Sequence, residues 1–369
     1  MKHCDKLAVT VNPTNKCNLR CKYCMASSGE EQSNTIKISL DFAKKGIYDA
    51  LNGYPTGHKA KILRFFSPGE PTQEFEIMRQ CVEYAKSINP YIELELQTNG
   101  LFQTEEDTKW IGENFTVVWF SLDGPKEIND KWRPDEYGKG RTDEIERNMQ
   151  IVRENGAYTG VRSTVVPEMF NKQNEMVEYY NDLGINYLCL NPIIRAIKRH
   201  DVGNQEVTVN DIMDFSVGFV DAYKRGKELG VTVVSSLTFN FNEATNIACR
   251  SCVPMPQLNP DGSVSSCDMA LYKDTKQELQ CFIYGQWNSE TKNIEYDMEK
   301  IIVLRNRVLE NLPKCLDCEV KEFCAGGCAG RVAFQTGSMY DIIPEYCEAT
   351  RYLAKHIELG SGNIKFTHP

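Results

Sequence analysis

The chain has 369 residues, 41% hydrophobic and 25% charged, with 42 Lys and Arg against 51 Asp and Glu for a net charge of −9. That length can hold two domains and a large core, the acidic balance argues against a nucleic-acid footprint, and no run of about 18 apolar residues offers a membrane span. Residues 1–6 lack the apolar stretch of a secretory signal, so a cytoplasmic protein is expected, and there fifteen cysteines point to metal binding before disulfides.

The first apolar run, 7–11, leads into Cys17-Asn-Leu-Arg-Cys21-Lys-Tyr-Cys24. Three thiols are an odd set: structural zinc asks for four ligands and disulfides for pairs. Three thiolates on a cubane of four irons would leave one iron open to a small molecule. Further strands are expected over 62–66, 92–97, 117–121, 158–166 and 187–190, separated by amphipathic helices over 39–51, 73–87, 142–155 and 172–183. Gly156 and Gly184 follow two of these helices where a left-handed residue is expected. Near-continuous apolar strands alternating with helices argue a parallel α/β sheet, closed or half-closed into a barrel, with ligands at the carboxyl ends of its strands.

Three polar turns fall at such ends. In Ser67-Pro-Gly-Glu-Pro71 an acidic residue beside a glycine suits an ammonium group. Gln97-Thr-Asn-Gly100 and Ser121-Leu-Asp-Gly124 place Asn99, Ser121 and Asp123 where they suit a ribose diol, though Asn-Gly and Asp-Gly also form plain turns. A helix over 209–229 and a run over 231–235 then lead out of this region. Beyond Asn240 the periodicity weakens and Cys, Gly and Pro become frequent, as in a region ordered by metal more than by an apolar core. Cys249-x2-Cys252-x9-Gly262-x4-Cys267 is followed by Cys315-x2-Cys318-x5-Cys324-x3-Cys328 and by Cys347. Paired thiols of this kind suit iron–sulfur clusters, or zinc as the alternative. A last helix is expected over 345–359, with a loose tail after Gly360.

The first Cys loop, with an aromatic before its last Cys, resembles the signature of the radical S-adenosylmethionine (radical SAM) superfamily, and the downstream cysteines resemble the SPASM signature of its peptide-maturing subgroup. The resemblance implies a partial (β/α)6 radical SAM barrel over 1–235, then a SPASM domain over 236–369 with a C-terminal helix. It implies three 4Fe–4S clusters. Cys17, Cys21 and Cys24 would hold the SAM-binding one. Cys315, Cys318, Cys324 and Cys347 would hold the distal auxiliary cluster, and Cys252, Cys267 and Cys328 the nearer one, with Cys249 as its fourth ligand. Gly69, Glu70 and Pro71 match the family's Gly-Gly-Glu-Pro element for the methionine amino group, whereas Ser67-Pro68 departs from its usual start. Ser121 would touch the SAM ribose. Arg162 would meet the methionine carboxylate, with a structural ion pair as its alternative, and Tyr23 and Leu190 would line the adenine unless they are simply core. In the sulfatase-maturating relatives an Asp at the position of Asp268 takes a proton from the oxidised substrate; a turn-capping Asp is the alternative. Cys4, Cys81, Cys189 and Cys281 are expected as apolar fillers, Cys281 being the one to test as a hydrogen-atom donor.

The expected activity follows from that likeness: a radical SAM/SPASM oxidoreductase that generates a 5′-deoxyadenosyl radical and oxidatively modifies a peptide by cross-link or thioether. A sulfatase-maturase-like Cys or Ser dehydrogenase is the alternative, and a zinc-scaffolded binding protein without catalysis is the third reading. Because the Cys loop begins at residue 17, no leader-peptide-binding module is expected ahead of it. Either a separate protein would hold a small peptide substrate, or the barrel alone would read a peptide or protein substrate, and a donor such as flavodoxin or ferredoxin would supply electrons.

Overall fold

The computed structural model describes residues 7–24, 26, 35–193 and 212–360. Cys4, residues 209–211 of the expected helix and the tail beyond 360 lie outside the described residues. Seven strands pair side by side and parallel: β1 (Ala8–Val11), β2 (Ile62–Phe65), β3 (Glu93–Thr98), β4 (Val117–Ser121), β5 (Tyr158–Val165), β6 (Tyr187–Pro192) and β7 (Thr232–Val234). Between them run α1 (Leu40–Leu51), α2 (Phe75–Ile88), α3 (Glu105–Asn114), α4 (Lys126–Trp132), α5 (Thr142–Glu154), α6 (Gln173–Asp182) and α7 (Ile212–Leu229). This is the expected open α/β barrel, with the short run after α7 adding a seventh strand at its far edge.

The local causes are ordinary. Every residue of β1 and β2 is buried, as parallel strands covered on both faces require. α1 starts where the Ser39 hydroxyl accepts the Phe42 N–H at 3.2 Å and turns Phe42, Ala43, Ile47 and Ala50 inward. Gly156 and Gly184 take the expected positive φ, +108° and +74°.

The free edge of β1 does not end the sheet. It pairs, parallel, with β8 (Gln257–Leu258), and an antiparallel meander of β9 (Ser263–Ser265), β10 (Ile283–Asn288) and β11 (Asn293–Tyr296) extends it to eleven strands. The seam is polar and buried. Asn12 Nδ2 donates to Asn259 Oδ1 at 2.8 Å, and Arg250 Nη1 donates to Thr10 Oγ1 at 3.0 Å. Matched buried polar pairs are costly to misalign, so they favour this one register. Four helices complete the described chain: α8 (Met298–Arg305), α9 (Lys321–Cys324), α10 (Ala329–Thr336) and α11 (Pro344–His356), the last packed on α7.

One expectation is corrected here. Past Asn240 the chain is not short of apolar core: Leu258, Val264, Phe282, Ile301, Ala329 and Leu353 belong to the same buried cluster as Val9, Phe42 and Leu96. Each short element gives one or two such residues, which leaves no period to read. Among the described residues no helix is long and apolar enough to cross a membrane.

Candidate active site at the carboxyl ends of the strands

A cavity of about 390 Å³ opens over the ends of the parallel strands. The Cys loop after β1 and the turn after β2 form one wall as a single unit. Gly69 N–H donates to Thr14 O at 3.3 Å and Glu70 N–H to Lys16 O at 2.8 Å. A Cβ on Gly69 would stand 2.2 Å from Lys16 O, so only glycine lets the two segments meet. Ser67, the departure from the resembled motif, has a use: its hydroxyl donates to Thr14 O and accepts the Thr14 N–H.

Glu70 is 2% exposed. Its Oε1 accepts from Thr98 Oγ1 at 2.8 Å, from Thr72 Oγ1 at 2.9 Å and from Thr72 N–H at 3.1 Å, and Oε2 accepts the Asn99 N–H at 2.7 Å. Burial raises its pKa, and those hydrogen bonds pull the other way. It has no cationic partner among the described residues, so this buried carboxylate on the cavity wall is suited to an incoming cation. Burial likewise pushes the Cys17 thiol well up and the Cys21 thiol to about 12, the Arg133 charge working against it at Cys21. All three loop cysteines face the cavity, and thiols of this kind bind once a metal has displaced their protons.

Asn99 lines the cavity and ties the third strand to the Cys loop, with Nδ2 donating to Asn18 Oδ1 at 2.7 Å. Ser121 and Arg162 also face it, and Arg162 Nη1 donates to Gln97 Oε1 at 2.8 Å. No acidic partner holds Arg162 by an ion pair among the described residues. Tyr23 lines the cavity too, but its hydroxyl is committed: it donates to Asp123 Oδ2 and accepts from Arg133 Nη1 at 2.6 Å. Asp123 is therefore not an open ribose ligand. It is fully buried, its Oδ1 accepts the Thr164 N–H at 2.8 Å, and it serves to lock the Cys loop and the loop after β4 to strand β5. Pro71 is buried at the start of a short 3-10 turn, and Leu190 lies in the apolar core; neither reaches the cavity wall.

Residues from the far end of the chain also line the cavity, among them Asp268, Met269, Cys328 and Arg331. Asp268 Oδ1 accepts from Arg250 Nη2 at 2.6 Å and from Arg64 Nη2 at 2.7 Å. Burial raises its pKa, but Arg250, Arg64 and Arg162 together outweigh that and hold the carboxyl well below the usual range. Asp268 thus meets the cavity, with 35% of its side chain exposed, as a fixed anion and a weaker proton acceptor than an ordinary carboxylate. Arg64, Arg133 and Arg250 escaped the sequence reading. The legible sign was Arg64, a charge inside the apolar strand Ile-Leu-Arg-Phe.

Eight of the remaining cysteines fall into two groups. Cys267 feels the charges of Cys328 and Cys249, and the Cys252 thiol donates to Cys249, lowering its pKa as that of Cys252 rises. Cys324 in turn feels Cys347, Cys315 and Cys318. A second cavity of about 130 Å³ is lined by Cys249, Cys324, Cys328 and Cys347. These eight thiols, four in each group, fit two cubanes in donor chemistry and number. Among the described residues no three His, Cys, Asp or Glu side chains converge on a point that could hold a single metal ion. Cys81 and Cys189 are fully buried fillers. Cys281 stands off both of these cavities, its thiol directed at Glu278 O.

The chain is similar to known proteins. Residues 11–180 match the model of the Radical SAM superfamily. The chain is 24% identical over 341 residues to the cysteine-type anaerobic sulfatase-maturating enzyme of Clostridium perfringens (strain ATCC 13124), covering 87% of this chain and 88% of that one. It is 21% identical to the radical SAM cyclopropyl synthase TigE of Paramaledivibacter caminithermalis, covering 97% of this chain and 75% of that one. The solved structure of native anSMEcpe with bound AdoMet and Cp18Cys peptide matches with a TM-score of 0.71 and 20% identity, over 95% of this chain and 96% of that one.

Proposed function

This chain carries a radical SAM domain and is related to the anaerobic sulfatase-maturating enzymes, and from that premise we propose that it oxidatively modifies a peptide or protein held in the 390 Å³ cavity. The observation that carries the proposal is that one cavity is lined both by the Cys17–Cys21–Cys24 loop with Glu70 and by Asp268, Cys328 and Arg331. In this reading the first 235 residues are the barrel and residues 236–369 the auxiliary domain. Cys17, Cys21 and Cys24 hold the SAM-binding cluster; Cys249, Cys252, Cys267 and Cys328 hold one auxiliary cluster, and Cys315, Cys318, Cys324 and Cys347 the other.

When bound, the clusters and SAM would supply the electron transfer and the radical chemistry that oxidises the substrate. The chain does the rest. Glu70 accepts the amino group of SAM, and Arg162 meets its carboxylate. The Tyr23–Asp123–Arg133 set fixes the Cys loop against the barrel, and apolar residues such as Leu19, Phe66, Ile193 and Leu271 keep water from the cavity. Substrate enters with a partner protein presenting it, and a flavodoxin or ferredoxin supplies the reductant.

Cross-link or thioether formation and Cys or Ser dehydrogenation both fit this arrangement. The second is favoured by the sulfatase-maturating relatives; Asp268 would then take up the proton on Oδ2, the oxygen that accepts from neither arginine. Oxygen-free enzyme given SAM, reductant and candidate peptides, the first being any short peptide encoded beside its gene, separates the two. A product that traps a hydrazine as an aldehyde supports the dehydrogenase. A product short of two hydrogens with no aldehyde supports the cross-link. Deoxyadenosine without any altered peptide or protein, across those partners, counts against both.

A further inference from the structure

Arg307 follows the end of α8 and is 1% exposed. Every hydrogen bond it makes goes to a neutral carbonyl: Nε donates to Met339 O at 2.6 Å, Nη2 to Gly326 O at 2.9 Å and Nη1 to Ala325 O at 3.5 Å. No carboxylate pairs with it among the described residues. A guanidinium cannot shed its proton to escape such a position, and a buried charge without a counter-charge is strongly disfavoured. Carbonyl dipoles orient it but do not neutralise it.

Its location says where the missing anion lies. Two of these three carbonyls, of Ala325 and Gly326, belong to the segment between Cys324 and Cys328, where the chain passes from one thiol group to the other. Residues 325, 326 and 327 all have positive φ, +47°, +80° and +66°, a run that is costly at Ala325. A Cβ on Gly326 would stand 2.4 Å from Leu312 Cδ1 and 3.3 Å from Nη2 of Arg307. The guanidinium therefore holds the crossing in its strained shape. The guanidinium is thus bonded to the backbone between Cys324 of one thiol group and Cys328 of the other.

We infer that Arg307 is the shared counter-cation of the two auxiliary thiolate sets, offsetting the charge of their anionic clusters and favouring the reduced form of each. The inference rests on the ligand assignment proposed above. It makes Arg307 a positioning residue for the electron path, since a cation beside a cluster raises its reduction potential.

The test is an EPR-monitored redox titration of anaerobic holoenzyme in which Cys17, Cys21 and Cys24 are replaced by Ala, so that only auxiliary signals remain. Arg307→Met and Arg307→Gln should move the midpoint potentials of both clusters to more negative values, while Arg307→Lys, which keeps the charge, stays near the parent. Neutral variants that lose their iron while Arg307→Lys retains it would support the same conclusion. Parent-like potentials in the neutral variants, or a Lys variant that shifts or loses iron as they do, would overturn it and leave the ligand assignment standing. A parent protein without iron would overturn the assignment itself, and this inference with it.

Discussion

Replacing Gly69 with alanine tests the joint between the Cys loop and the Glu70 turn. The new Cβ would lie 2.2 Å from Lys16 O and 2.5 Å from the Asn15 carbonyl carbon, where ordinary contact begins at 3.4 Å. Both obstacles are backbone, tied by the Gly69 and Glu70 N–H bonds to Thr14 and Lys16, so neither can swing aside as a side chain would. Overpacking costs about 1–3 kcal/mol, and the backbone obstacles put this case near the upper figure. Relief comes by lifting the turn off the Cys loop, and SAM binding must then push Glu70 back. At about 3 kcal/mol the apparent affinity for SAM falls roughly 150-fold. Equilibrium dialysis of SAM against anaerobic holoenzyme, with deoxyadenosine release in parallel, reads the effect. Gly138→Ala is the control: its φ is +78° with nothing within 4 Å of the added methyl, so it should lose about 1–2 kcal/mol of stability and no SAM affinity. A Gly69→Ala enzyme that binds and cleaves SAM like the parent would refute the reasoning.

Other outcomes follow from the same geometry. Glu70→Gln sets an amide NH2 against one of the donors now facing the carboxylate and removes its charge; with charged hydrogen bonds worth about 1.5–3 kcal/mol, SAM binding should weaken at least about tenfold by the same dialysis. Cys81→Ala should cost about 1 kcal/mol in a urea midpoint and keep the full iron content, whereas Cys324→Ala should lose iron in a colorimetric assay. Asp268→Asn probes pH. The folded carboxyl titrates below its unfolded value of about 3.9, so its stabilising contribution is complete above that value and fades only as pH falls toward the depressed one. The gap in urea midpoint between parent and variant should therefore be constant from pH 8 to pH 5, and a gap that narrows within that window would contradict the Arg64–Asp268–Arg250 arrangement.

Much of the barrel was legible because parallel strands buried on both faces read as apolar runs and because Gly156 and Gly184 mark helix ends. α3 was missed since Glu-Glu-Asp-Thr-Lys-Trp-Ile-Gly-Glu-Asn shows almost no apolar stripe. Its start was nonetheless written in Thr104, whose hydroxyl accepts the Asp107 N–H at 3.1 Å. The meander was hidden for a different reason: β8 and β9 have two and three residues, and their buried members include Gln257, Ser263 and Ser265, so neither length nor pattern announces a strand. Nothing local could reveal that β8 lies against β1. At the site, Cys spacing and the Gly-Glu-Pro turn carried the reading, since those positions are set by local chain geometry. The roles of Asp123, Asp268 and Arg307 depend on partners up to hundreds of residues away, and only the fold brings these together.

The central claim is that the loop of Cys17, Cys21 and Cys24 holds a cluster with a free corner for SAM. Oxygen-free protein in which all three are changed to Ala should lose one cluster's worth of iron, keep the auxiliary iron, and release no deoxyadenosine from SAM under reduction. Full iron content in that variant, or deoxyadenosine still formed without those thiols, would contradict the account.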